Sequence, residues 1–301
     1  MFDLVIIGAG PAGLAASLYA ARQKLNFVTI SKDVGGLANL IPQLDTYLGF
    51  HYVSGYGLIT KFQEHVKDYK VNIKAEEVKR ISKKGRFFVV HTDKATYETK
   101  TIIIASGRKF KKLKIKGEKE FEGKGLSHCA ACDGPLFKDK IVAVIGGGRS
   151  GLLSTLFMSK IAKKIYLIEI KPKLGGIEHW RNVVQSMKNV KIMTSAKTIE
   201  VLGNKFVTGI KVKQKNKIKL LKVGGVFVEV GYMPNVDFAG GLIKLNKRRE
   251  IITDNQNRTS VPGIFVAGDV SDIWEKQVAV AVGEGTKALM AAYVYLRGEK
   301  P

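Results

Sequence analysis

Two stretches of this 301-residue chain follow the same plan, and few folds accommodate that plan twice. The first begins with the apolar run Asp3-Leu4-Val5-Ile6-Ile7 and passes into Gly8-Ala9-Gly10-Pro11-Ala12-Gly13. A helix-like stretch follows from Leu14 to Gln23, then a short strand, Phe27 to Ile30. The second begins with Lys140-Ile141-Val142-Ala143-Val144-Ile145 and passes into Gly146-Gly147-Gly148-Arg149-Ser150-Gly151. A helix over about 152–162 and the strand Lys164 to Glu169 complete it. Strand, G-x-G-x-x-G, helix, strand is half of a dinucleotide-binding unit, in which the glycines let the backbone approach a pyrophosphate at the positive end of the helix. One such match is weak. Two in the right context predict an α/β chain with two Rossmann-like units.

Each unit then carries β-rich material. In the first it spans about 71–104, with a turn at Lys84-Gly85, and ends in Thr101-Ile102-Ile103-Ile104-Ala105-Ser106-Gly107. In the second it spans about 190–230 and ends in Gly225-Val226-Phe227-Val228-Glu229-Val230-Gly231. These read as β-meanders attached to a parallel core. A late strand, Gly263 to Asp269, precedes a small-residue helix over about 276–296 and reads as a return to the first unit. The length suits two domains with a core each. No apolar run approaches the roughly 18 residues of a membrane helix, and the first residues read as a strand, not a targeting segment.

The only two cysteines stand in Cys129-Ala130-Ala131-Cys132-Asp133-Gly134. A lone C-x-x-C beside a βαβ pattern reads as a redox dithiol, and the adjacent acid can exchange the proton that thiolate chemistry requires. A structural zinc site wants four ligands. There is no second C-x-x-C, and the five histidines (51, 65, 91, 128 and 179) show no ligand spacing. An inert buried pair is the other alternative. Without an export signal, the dithiol points to a cytoplasmic protein.

The net charge of +24 admits a solvated lysine-rich surface, nucleic-acid binding or attraction to an acidic partner protein. The lysines are scattered over many elements with no stacking-aromatic motif among them, which speaks against nucleic acid.

Taken in order, the first glycine turn, Tyr47-Leu48-Gly49-Phe50, Ala105-Ser106-Gly107, C-x-x-C-D-G, the second glycine turn and Gly268-Asp269-Val270 resemble the low-molecular-weight thioredoxin reductase family over essentially the whole chain. The resemblance implies an FAD domain of residues 1–110 plus 235–301. A pyridine-nucleotide-type domain, 111–234, is inserted in it and carries the dithiol. It further implies a homodimer, and a rotation that presents the dithiol alternately to flavin and partner. By the same resemblance FAD lies against Gly8, Gly10, Pro11, Gly13, Ser31, Gly36, Leu37, Thr46, Ser106, Gly107, Gly268, Asp269, Gln277 and Val278. Asp269 bonds the ribityl chain, and Gln277 and Val278 lie by the isoalloxazine. Cys132 is then the flavin-facing sulfur and Cys129 the attacking one. Asp133 shuttles the proton, caps a helix, or does both. The implied reaction passes electrons from a donor through FAD and the dithiol to the disulfide of thioredoxin or a glutaredoxin-like protein.

The chain departs from the family at the second turn, where Gly146, Gly148 and Gly151 would hold the nicotinamide nucleotide. Arg149-Ser150-Gly151 replaces the usual acidic or amide residue, small residue and alanine, and Ser154 stands near where a glutamate is expected. The arginine cluster that receives a 2′-phosphate is replaced by Glu169-Ile170-Lys171-Pro172-Lys173-Leu174. Glu169 lies 18 residues beyond Gly151, where an acid binds the adenosine ribose and repels a phosphate. NADH is therefore preferred to NADPH, although Lys171 and Lys173 keep NADPH in play. Some relatives without the arginine cluster draw electrons from ferredoxin, and a chain of +24 charge would attract that acidic protein. In the first unit, Ser31-Lys32-Asp33 displaces the expected ribose-binding acid, and Thr46 stands where an asparagine is common. His128 either lowers a cysteine pKa as a neighbouring cation or is a partly exposed loop residue. The competing functions are an FAD-dependent dithiol oxidase, a non-enzymatic binding protein on the same fold, and a nucleic-acid binder. A ferredoxin–NADP reductase of similar fold would lack the dithiol.

Overall fold

The computed structural model describes residues 1–299. The chain opens with β1 (Phe2–Ala9), α1 (Pro11–Arg22), β2 (Phe27–Val34), α2 (Gly55–Asp68), β3 (Ile73–Ala75), β4 (Val78–Lys84), β5 (Phe87–Thr92) and β6 (Thr96–Ile104). It crosses into a second unit through β7 (Arg108–Phe110), followed by α3 (Glu118–Phe121), β8 (Leu126–Ser127), α4 (Ala130–Asp133), β9 (Ile141–Ile145), α5 (Arg149–Met158) and β10 (Lys164–Ile168). That unit continues with α6 (Glu178–Ser186), β11 (Val190–Met193), β12 (Ala196–Gly203), β13 (Val207–Gln214), β14 (Lys217–Lys222) and β15 (Gly225–Val228). It returns through β16 (Tyr232–Pro234) and finishes with β17 (Ile264–Val266) and α7 (Val278–Arg297). Unit 1 comprises Met1–Lys109 and the chain from Met233 onward, and unit 2 is Phe110–Tyr232.

Unit 1 is built on one seven-stranded sheet, β3-β2-β1-β6-β5-β4, with β17 also paired to β6. β1 runs parallel to β2 and β6, and β6 runs parallel to β17. Alternation along β1 sends Leu4 and Ile6 to the face packed with α1 and α7, and Val5 and Ile7 to the opposite face. Both faces are buried, as a parallel sheet requires. The meander β4-β5-β6 is antiparallel and shares β6 with the parallel core, so core and meander form a single sheet. The turn at Gly85 falls between β4 and β5, where the sequence places it. α1 starts at Pro11, earlier than the pattern suggests, because Gly10 is the N-cap and the fixed φ of Pro11 suits the first helical position.

Unit 2 has a parallel sheet of order β11-β10-β9-β15-β8 and a separate antiparallel meander, β12-β13-β14. Val142 and Val144 face α5 and α6 with Leu152, Met158 and Val184. Ala143 and Ile145 face the meander residues Val201, Ile210 and Val212. Phe227 is wholly buried, and each such side chain contributes roughly 1.5–3 kcal/mol. At the two ends of this unit the rings of Phe110 and Tyr232 lie 5.2 Å apart. Among the described residues no helix is long and apolar enough to cross a membrane.

Candidate functional site

In unit 1 the glycine turn joins β1 to α1 at the end of the sheet where β1 pairs with β6 through Ile7 and Ile104. Gly8 has φ of +103°, and a Cβ there would lie 2.3 Å from the Ala105 carbonyl oxygen. A Cβ on Gly13 would lie 1.8 Å from the oxygen of Gly8. Side chains are thus excluded on both sides of the turn. Gly10 makes no side-chain cap, so the first amides of α1 point to the crevice as an anion site would require.

The other expected residues group around this crevice unevenly. Ser31 Oγ accepts from the amide of Ala9 at 3.0 Å and donates to the carbonyl of Asp33 at 2.6 Å, so it fixes the turn from beneath. Ser106 Oγ donates to Asn235 O at 2.7 Å, and Gly107 O accepts from Asn235 N. Gly268 packs on Ala12, within the turn itself, which brings Asp269 to the same end of the sheet. Asp269 has no hydrogen-bond partner among the described residues; burial pushes its carboxyl up, against the pull of Lys276 and Arg108. Gly36 and the half-buried Leu37 lie in a 3-10 turn after β2. Thr46 is exposed in a loop, and Gln277 is the exposed N-cap of α7, with Val278 its first residue.

Unit 2 repeats the turn. A Cβ on Gly146 would meet the Glu229 oxygen at 2.2 Å, and one on Gly151 the Gly146 oxygen at 1.8 Å. Gly148 is the N-cap of α5. Arg149, its first residue, stacks over Trp180 at 5.4 Å. Glu169 is buried against the turn, with one carboxylate oxygen accepting from Gly147 N and the other from Lys171 N at 2.7 Å. Each oxygen keeps a further lone pair. Lys173 and Arg181 line a cleft beyond it with Pro172, Leu174 and Thr194.

Cys129 and Cys132 are joined as a disulfide with Cα atoms 5.3 Å apart. The bridge spans the single turn of α4. The amide of Cys132 donates to Cys129 Sγ at 3.1 Å. Cys132 is exposed and Cys129 half-buried. Asp133 makes no helix cap with its side chain. Instead its Oδ2 accepts from Ser127 Oγ at 2.6 Å, and the same hydroxyl accepts from the amide of Cys129 at 3.0 Å. Ser127 thus ties acid and dithiol together, a role the sequence did not suggest. His128 lies in the bend between β8 and α4 and is half-buried as a residue, as the loop reading expects. Its side chain is 9 % exposed, and its ring stacks on Phe110 with centroids 5.1 Å apart. Its Nε2 lies 3.7 Å from Glu122, and neither ring nitrogen is hydrogen-bonded. Among the described residues no group of three or more His, Cys, Asp and Glu side chains is placed to hold a metal ion.

This combination of paired glycine turns and a disulfide has close counterparts among known proteins. The family model for pyridine nucleotide-disulphide oxidoreductases matches residues 2–285. The chain belongs to that family. Within it, the chain is 38% identical over 302 residues to alkyl hydroperoxide reductase F of Pseudomonas putida, a match that covers 98% of this chain but only 58% of that longer protein. It is 38% identical to thioredoxin reductase of Ureaplasma parvum over 98% of this chain and 97% of the relative. The crystal structure of T. acidophilum thioredoxin reductase superposes with a TM-score of 0.83 at 39% identity, covering 97% of each chain. The resemblance to the low-molecular-weight thioredoxin reductases therefore holds over the whole chain.

Proteins of this family use FAD and a nicotinamide nucleotide. The unit 1 crevice fits the flavin nucleotide. It offers a side-chain-free turn, a helix N-terminus for the pyrophosphate, and in Asp269 a half-buried acceptor without a side-chain partner among the described residues, suited to hydroxyl groups. Two groups here escaped the sequence reading. Glu250 is buried between Arg108 and Lys276 in unit 1. Glu229 is buried at the end of β15 in unit 2, where its carboxyl accepts from Ser154 Oγ. Aligning the two repeats against each other would have exposed Glu229, because it falls where unit 1 has Ala105.

Proposed function

We propose that this chain is an FAD-dependent thioredoxin-disulfide reductase. The observation that carries the reading is the Cys129–Cys132 disulfide with Asp133 held behind it by Ser127. FAD, when bound, supplies an electron pair. Residues 1–110 with 235–301 hold it, through Gly8, Gly10, Pro11 and Gly13 at the pyrophosphate and Gly268 and Asp269 at the ribityl hydroxyls. Residues 111–234 hold the dithiol and a nicotinamide nucleotide on Gly146, Gly148 and Gly151. Two electrons break the Cys129–Cys132 bond, and Asp133 carries a proton to the nascent thiolates. Cys129 thiolate then attacks the partner disulfide, forming a mixed disulfide and releasing one partner thiolate. Cys132 attacks that bond, restores the internal disulfide and releases the second thiol, so the partner gains two electrons and two protons.

The partner is thioredoxin or a glutaredoxin-like protein, the assembly a homodimer, and the compartment the cytoplasm, where thiols stay reduced. NADH is favoured over NADPH because the Glu169 carboxylate sits against the glycine turn, where a 2′-phosphate would meet a negative charge. An acidic ferredoxin as donor is the second reading, favoured by the net charge of +24.

Two experiments test these readings. Cys132→Ser is expected to stay yellow and to lose reduction of thioredoxin's disulfide; retained turnover would overturn the site assignment. In an anaerobic titration NADH is expected to bleach the flavin band at lower concentration than NADPH. Bleaching by dithionite alone would turn the donor reading to ferredoxin.

A further inference from the structure

The two glycine turns correspond residue by residue, and beneath the first turn of each helix the strand end carries a different side chain. In unit 1 a Cβ on Gly8 would meet the carbonyl of Ala105, whose own Cβ lies 3.5 Å from one placed on Gly13. In unit 2 a Cβ on Gly146 would meet the carbonyl of Glu229, whose Cβ lies 3.6 Å from one placed on Gly151. The same backbone position thus carries a methyl group in one half and a propionate in the other.

That propionate is 7% exposed. Its hydrogen-bond donors are hydroxyls: Ser154 Oγ, with Ser150 close by. No lysine, arginine or histidine pairs with it among the described residues. Burial pushes its carboxyl up, and the two serines only partly oppose this. The phenol of Tyr232 is also pushed up by burial and by the Glu229 charge, so it stays protonated beside it. A buried carboxyl without a cation is unfavourable unless a further donor or positive charge arrives.

Its place says which donor. In the sheet order β11-β10-β9-β15-β8, the direction of chain progression reverses between β9 and β15. A dinucleotide lies across that point, with its pyrophosphate at the turn and its two nucleoside halves on either side. Glu169, after β10, marks the adenosine side. Glu229, at the end of β15, lies on the other. We infer that Glu229 recognises the nicotinamide half of a dinucleotide bound on the second glycine turn, accepting from its ribose hydroxyls or carboxamide and favouring the cationic oxidised ring. This rests on the reading that unit 2 receives a nicotinamide nucleotide. Ser154 is the positioning residue that aims the carboxylate.

The test is calorimetric titration of the flavin-containing protein with NAD+ and with ADP, which presents the adenosine half alone. Glu229→Gln is expected to weaken NAD+ by roughly tenfold or more while ADP changes by less than about twofold. Glu229→Ala, which copies Ala105 of unit 1, is expected to do the same. Ser154→Ala keeps the carboxylate and is expected to produce a smaller loss, again for NAD+ alone. Flavin absorbance and the thermal midpoint confirm that each variant is folded. Unchanged NAD+ affinity, or equal losses for NAD+ and ADP, would overturn the assignment of Glu229 and leave the nicotinamide reading standing. A wild-type protein that binds ADP but not NAD+ would remove both.

Discussion

Glu250 lies buried in unit 1 with Lys276 at 3.5 Å, Arg108 at 3.8 Å and Asn246 Nδ2 at 2.9 Å. Burial opposes its ionisation, but the amide of Asn246 and the charges of Lys276 and Arg108 together outweigh it and hold the carboxyl below the usual carboxylate range. The unfolded chain therefore takes up the proton first as pH falls. The stabilisation is complete above the ordinary value of 4.5 and is lost as pH drops through the lower folded value. Glu250→Gln is expected to lower stability at pH 7 by about 2 kcal/mol, and the gap is expected to narrow progressively as pH falls below the ordinary carboxylate range in chemical denaturation. A gap that does not narrow with acid would show that the pairing is unimportant. At this scale the sequence told least. Cys129, Cys132 and Asp133 were legible from spacing, because chemistry fixes the size of a dithiol ring. Ser127 was not, because its two hydrogen bonds, donated to Asp133 and accepted from the amide of Cys129, exist only once α4 has formed. Nor was the Glu250 cluster, whose members come from positions 108, 246, 250 and 276.

Helices α1 and α7 cross closely enough that the backbone of one excludes side chains on the other. A Cβ on Gly285 would lie 2.0 Å from the carbonyl oxygen of Ala12, which belongs to the glycine turn. Gly285→Ala is expected to push α7 off α1 and distort the cradle, with a loss of about 3 kcal/mol or more. The measurement is the thermal midpoint together with the flavin-to-protein absorbance ratio; full flavin retention with an unchanged midpoint would show that the crossing tolerates the methyl. Elements such as these were largely readable. Both strand–turn–helix units, the turn at Gly85 and the late helix follow from apolar periodicity and glycine placement. The helix starts were displaced. α1 and α5 begin at Pro11 and Arg149, inside what the motif alone marks as turn, because a glycine N-cap admits the helix at once. That one meander joins its core sheet while the other stands apart could not be read, since hydrogen bonding between distant strands leaves no local pattern.

For the whole molecule the dominant quantity is the net charge of +24. Its ion pairs are mostly exposed and contribute little each, so most of the lysine charge is left to act on the surroundings. Association with an acidic partner is then steered at low ionic strength and screened beyond about 10 Å at 0.1 M salt. With an acidic thioredoxin as substrate, kcat/KM is expected to fall severalfold between about 20 mM and about 300 mM salt, while kcat changes little. A flat profile would place the charge away from the docking face.

The ends of the inserted unit are neighbours, as the contact between the rings of Phe110 and Tyr232 shows. A polypeptide whose start and finish meet is a cassette. Lifted out of its host, such a unit is expected to fold when expressed alone, or when opened at a new point and rejoined through Phe110 and Tyr232. The host, closed by a short link from Lys109 to Met233, would keep the first glycine turn and contain no cysteine, and on the proposed reading it would be a flavin carrier onto which another redox cassette could be spliced.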